Sequence, residues 1–151
     1  MRAIEIGTVG ADMTKQVLVS ITGSQFFDAE DDSIELVTVA NYYKRNGHHF
    51  VLYEEMPEGA DSIIKNTLKF DETFFEMTKK GAVNAQLLFN PRQSNTTYYV
   101  TAAGPMSMNV TTTTYQLLAE EDYIEIFIKY VLDINYNFTT ENEILIRIAP
   151  K

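Results

Sequence analysis

The residues best equipped for chemistry lie in one stretch, NYYKRNGHHFVLYEE, residues 41–55. It packs three tyrosines, two adjacent histidines and two adjacent carboxylates around one Asn-Gly. Imidazoles could hold a metal ion, and paired carboxylates could act as general acid and base. Strand alternation argues against both. Asn-Gly is a strong signal for a two-residue type I′ hairpin. That turn sets Arg45 opposite His48, Tyr42 opposite Val51, Ala40 opposite Tyr53 and Thr38 opposite Glu55. Successive side chains point to opposite faces of a strand, so His48 and His49 do not share an ion, and Glu54 and Glu55 do not share a proton. No metal site is expected, and the histidines read as hairpin-end groups near solvent.

One face of this hairpin carries Leu36, Thr38, Ala40, Tyr42, Val51, Tyr53 and Glu55. A small residue opposite a large one, as with Ala40 and Tyr53, suits an interior. Glu55 would then be a carboxylate close to a core and would need a partner. A two-residue turn at Asp71-Glu72 places Ile64 opposite Lys79, on the face that also holds Asn66, Leu68, Phe70, Phe75 and Met77. Glu55, Ile64 and Lys79 then form a row across three strands, with a Glu55–Lys79 ion pair at one end. Tyr42, Tyr53, Glu55 and Lys79 are therefore expected to form an inward polar cluster facing a ligand.

Other constellations read as structure. Asp28, Glu30 and Asp32 in DAEDDS (28–33) have the spacing of early calcium ligands, but the stretch lacks the later Gly and Glu of a calcium loop. A solvated hairpin tip is expected there. The four threonines at 111–114 suit a strand. Met106, Met108 and Val110 read as a core row. No Ser sits in a nucleophile elbow and no glycine-rich phosphate loop occurs, so no catalytic residues, cofactor or enzymatic activity are expected.

The elements that must position these groups are strands. Period-two alternation, rich in β-branched and aromatic residues, runs through 17–26, 33–44, 48–55, 61–70, 73–80, 84–89, 96–102, 106–118, 122–135 and 142–148. Turn residues separate them at Asn46-Gly47, Pro57–Gly59, Gly81, Pro91 and Gly104-Pro105. Short connections make neighbours antiparallel, and closing a meander of about ten strands into a barrel removes its edges. A strand over 122–135 would reach about 45 Å at ~3.4 Å per residue, so coiling or a bulge is expected. No helix longer than about two turns is expected.

The chain has 151 residues, 45% hydrophobic and 22% charged, which fits one globular domain. Its 21 acidic against 12 basic side chains give a formal charge of -9, unfavourable for nucleic acid and for anionic lipid. Cysteine is absent, which excludes disulfides, thiolate nucleophiles and Cys-based zinc sites. There is no signal-peptide pattern and no apolar run of ~18 residues, so a cytoplasmic protein is expected. The Asn-x-Thr triplets at Asn95, Asn109 and Asn137 read as chance matches in a Thr-rich chain.

IELVTVANYYKRNGHHFVLYEE, KKGAVNAQLLF, YVTAAGPMSMNVTTTTYQL and KYVLDIN…ENEILIRI together resemble the YwiB-like family of small bacterial proteins of unknown function. The resemblance covers most of 16–148. It implies an all-β, lipocalin-like (calycin-type) antiparallel barrel of 8–10 strands, and transfers no activity. Lys79 stands where the family usually has Arg, which weakens a bidentate anion clamp. Family members commonly begin near Met13. Residues 1–12 thus read as an extension or a misassigned start, dispensable for folding and, where ordered, held by a neighbour such as a second copy in a homodimer. The barrel domain is then 13–151. Two functions fit it: a non-enzymatic binder of a small molecule in the barrel mouth, or an interaction module with a solid-filled barrel.

Overall fold

The computed structural model describes residues 5–7, 9–11, 15–24, 33–56, 59, 61–82, 84–101, 104–135 and 138–151. The carboxylates Asp28, Glu30 and Asp32 lie outside the described residues, as does Asn137. Among those described there is no helix. Twelve strands occur: β1 (Glu5–Gly7), β2 (Val9–Ala11), β3 (Lys15–Ser24), β4 (Ser33–Arg45), β5 (His48–Glu55), β6 (Ile64–Phe70), β7 (Phe75–Gly81), β8 (Ala85–Phe89), β9 (Asn95–Thr101), β10 (Gly104–Glu120), β11 (Tyr123–Ile134) and β12 (Phe138–Pro150). β1 pairs with β2. The other ten form one antiparallel sheet in the order β8-β7-β6-β5-β4-β3-β12-β11-β10-β9.

The period-two pattern explains both the sheet and its sidedness. Along β5, β6 and β11 buried and less buried residues alternate strictly over most of the length. Inward residues from every wall, among them Val19, Val51, Leu68, Leu87, Ile126 and Ile146, lose essentially all contact with solvent. Each such side chain contributes about 1.5–3 kcal/mol of burial. Met108 and Val110 are in this core, as the Met-rich row predicts.

Closure comes from two seams of unequal strength. The first and last strands of this sheet in sequence, β3 and β12, pair over Val17–Gly23 and Ile144–Pro150. At the other seam, among the described residues, β8 and β9 meet through one backbone bridge, with Val100 N–H donating to Asn84 O at 3.0 Å and Asn84 N–H to Val100 O at 3.4 Å, and one side-chain bond from Asn95 Nδ2 to Leu88 O at 3.5 Å. The barrel is therefore nearly closed. The bulge lies in β10 and not in the 122–135 strand for which coiling or a bulge was expected: Thr113 is extra between Thr112↔Tyr130 and Thr114↔Lys129. A bulge there lets the long β10–β11 pair coil around the core.

Two registers decide where the candidate site lies. The Asn-Gly hairpin forms as its turn demands, with Asn46 and Gly47 at φ 53° and 80° and Arg45 opposite His48. The ladder stops at Asn41↔Leu52, however, and Ala40–Tyr53 and Thr38–Glu55 are not paired. Beyond that point β4 follows β3 as far as Ser33, and β5 follows β6 as far as Ile64, so the two strands splay. The β6–β7 turn has four residues, not two: Phe70 faces Phe75, and Lys79 lies opposite Asn66 instead of Ile64. The Asp71 carboxylate causes this by accepting the N–H groups of Thr73 (2.7 Å) and Phe74 (3.3 Å). Burial alone would raise the Asp71 pKa; those hydrogen bonds and the nearby His48 outweigh it and hold the carboxyl below its ordinary value. A shift of two residues keeps Lys79 on the inward face.

Gly81 closes the same hairpin at φ 135°, and a Cβ there would run into the backbone oxygen of Ile63. Gly81→Ala is expected to cost about 2 kcal/mol or more, because strain and overlap act together. Urea denaturation should show a lower midpoint with an unchanged m-value.

Candidate functional site

The four residues expected to cluster separate into two polar groups at opposite ends of β5. At the Glu55 end the ion pair forms: Lys79 Nζ lies 3.0 Å from Glu55 Oε1. Asn66 completes a triangle, accepting from Lys79 Nζ on Oδ1 at 2.8 Å and donating from Nδ2 to Glu55 Oε1 at 2.8 Å. Asn66 is buried, the Lys79 side chain is 14% exposed, and that of Glu55 is 33% exposed. Tyr53, opposite Asn66, is buried beside them. Burial first, and the Glu55 charge second, push its hydroxyl well above the ordinary tyrosine range.

Tyr42 belongs to the other end. Its hydroxyl is 2.7 Å from His49 Nδ1, and its pKa is pushed up to about 12 by burial. His49 is itself buried and stacks on Phe70 at 4.9 Å, so it is a core histidine and not a solvent-side one. His48 points the opposite way and sits 3.2 Å from Asp71. The imidazoles thus face apart, as alternation requires.

Burial lowers the His49 pKa below 6.5, and Lys44 and His48 add to this while Asp71 opposes it. The unfolded chain then takes up the proton more readily than the folded one. His49 contributes stability above pH 6.5 that is lost as the pH falls through its lower, folded value. Thermal midpoints measured from pH 7 to pH 5 should fall, and less steeply in His49→Phe.

The splay of β4 from β5 creates an opening of about 900 Å³. Its outer walls include Val39, Leu52, Lys65, Thr67, Thr78 and Lys80, all on the outward phase of their strands. Ala40, Tyr53 and Asn66 also line it, and these belong to the inward phase. Glu55 and Lys79 do not themselves line the opening; Asn66, which does, is hydrogen-bonded to both. Both partners of Glu55 engage Oε1, so among the described residues Oε2 is unclaimed. Lys79 Nζ has three hydrogens, of which two are used. The arrangement can present one acceptor and one donor to a neutral polar group.

The structure adds Asn66 and His49 to the expected site residues. Each is a polar side chain standing in phase with apolar neighbours, Asn66 with Ile64 and Leu68, His49 with Val51. That phase is the signal that marks them.

The comparisons agree with this architecture. No curated protein matches the chain. Among solved structures, the crystal structure of the ywiB protein from Bacillus subtilis is similar with a TM-score of 0.73, at 19% identity over 93% of each chain. That likeness shows the fold. Residues 19–146 match the family described as Domain of unknown function (DUF1934), and with this match over most of its length the chain belongs to that family.

Proposed function

We propose that this barrel is a non-enzymatic, cytoplasmic binder of one small polar molecule, used much as lipocalin-type barrels are used. The ligand reaches the interior from the side, between β4 and β5. The observation that carries the reading is the opening of about 900 Å³, which joins outer walls to the interior groups Tyr53 and Asn66. Its size is within the ~300–1,000 Å³ of small-molecule sites. Asn66, held by Glu55 and Lys79, supplies polar recognition in its lining, and Tyr53 supplies a ring with a polar tip. An ion pair inside a barrel is weak as a stabiliser, since apolar residues of the same volume serve as well or better. Its presence therefore favours recognition over mere filling.

Native mass spectrometry of protein purified from its own host tests this. Wild type should carry a discrete small-molecule mass that Lys79→Met with Glu55→Leu lacks. A wild-type protein that flies bare after gentle purification speaks against the proposal.

A second reading has one observation of its own. Leu18, Val37 and Val39 form an exposed apolar strip on the outer face of β3 and β4, beside the part of β4 that β5 leaves. Such a strip suits a protein-interaction module. Copurification of a stoichiometric protein partner, with no small-molecule mass, would support it instead.

A further inference from the structure

The other end of the barrel carries a separate cavity. Turns and strand ends converge there: the β4–β5 hairpin, the start of β3, the β10–β11 turn and the end of β12. The β6–β7 turn is pinned across the same end, where Tyr115 donates its hydroxyl to Asp71 O at 2.6 Å and to Phe74 O at 3.1 Å. What remains open is a cavity of about 200 Å³. Tyr42 and His49, joined at 2.7 Å, are among its lining residues, with apolar flanks from Val17, Ile124 and Ile148.

The charges around this cavity are divided by strand. Lys15 and Lys44 come from β3 and β4, and Lys15 Nζ lies 5.7 Å from the centre of the Tyr42 ring. Glu120 comes from the end of β10, and Glu121 and Asp122 from the β10–β11 turn. Among the described residues none of these five makes an ion pair with another. A cationic side and an anionic side thus share one small cavity without neutralising each other. A monoanion or a monocation meets one matching side and one repelling side. A molecule bearing both charges is complemented at each end. The volume is below the ~300 Å³ of drug-sized sites, which limits the occupant to a molecule smaller than a drug-sized ligand.

We infer that this mouth binds a small zwitterion of the amino-acid class, its carboxylate towards Lys15, Lys44 and the Tyr42–His49 pair and its ammonium towards Glu120–Asp122. The site is separate from the β4–β5 opening and stands or falls apart from it.

The experiment is an amide NMR titration with glycine, γ-aminobutyrate and 6-aminohexanoate, three zwitterions of increasing charge separation. Butyrate and butylamine serve as single-charge controls. At least one zwitterion should shift the amides around Lys44, His49 and Glu121 and bind about tenfold or more tighter than either control. Lys44→Gln and Glu121→Gln should each weaken it by about tenfold, and Lys79→Met should leave it unchanged. Controls that bind as tightly as every zwitterion overturn the proposal. So does the absence of shifts, or shifts that map to Glu55 and Lys79 and disappear in Lys79→Met.

Discussion

Replacing Lys79 by Met should destabilise the protein by about 2–3 kcal/mol, and adding Glu55→Leu should restore most of the loss. Removing one partner of a fully buried pair typically costs about 3–5 kcal/mol, because the other charge is left uncompensated. The expectation here is smaller because the Glu55 side chain is 33% exposed and keeps Asn66 as a donor. Lys79→Met leaves that carboxylate without its ammonium, whereas the double substitution leaves no charge behind. A double-mutant cycle by urea denaturation would give a coupling well outside the error of about 0.3–0.5 kcal/mol seen for independent sites. If each single substitution cost under about 1 kcal/mol, the pair would be behaving as a surface ion pair.

The largest expected loss is in the aromatic core. Phe75 is fully buried, with its ring 5.6 Å from Phe70 and 6.1 Å from Phe89. Phe89 in turn meets Tyr130 of β11 edge-on at 4.9 Å. This chain of rings links the β6–β7 hairpin, through β8, to the far wall of the barrel. It also spans the interior near the weakly bridged β8–β9 seam. Phe75→Ala removes the middle of the chain and leaves a cavity, at an expected cost of about 3–5 kcal/mol. For a domain of this size that is roughly a 6–20 °C fall in thermal midpoint. Tyr98→Ala, at a side chain 66% exposed, should change stability by no more than about 0.5 kcal/mol. A Phe75→Ala loss no larger than that of Tyr98→Ala would mean the rings do not form the core described.

The strands and the sidedness of the barrel were legible in the sequence, because alternation and turn residues act locally. The β4–β5 hairpin register followed from Asn46-Gly47, whose backbone angles permit few alternatives. The β6–β7 register did not follow. Asp71-Glu72 has the composition of a two-residue turn, and only the capture of two N–H groups by the Asp71 side chain makes it four. The Glu55–Lys79 pair was still readable, since a slip of two residues preserves the face. The splay of β4 from β5 was not, because it depends on how all ten strands curve together. For that reason hairpin register alone joins Tyr42 to Glu55 and Lys79, while the structure gives Tyr42 to His49 at the opposite end.

The central claim is that a small molecule enters between β4 and β5 and meets the interior polar groups. The most direct measurement is a chemical-shift map of the labelled protein in a low-molecular-weight extract of its host. Binding as proposed will move the signals of Ala40, Tyr53, Asn66 and Lys79 together, and Lys79→Met with Glu55→Leu will abolish those changes. A map in which these four signals stay fixed, with changes absent or confined to the Leu18–Val37–Val39 face, would contradict it.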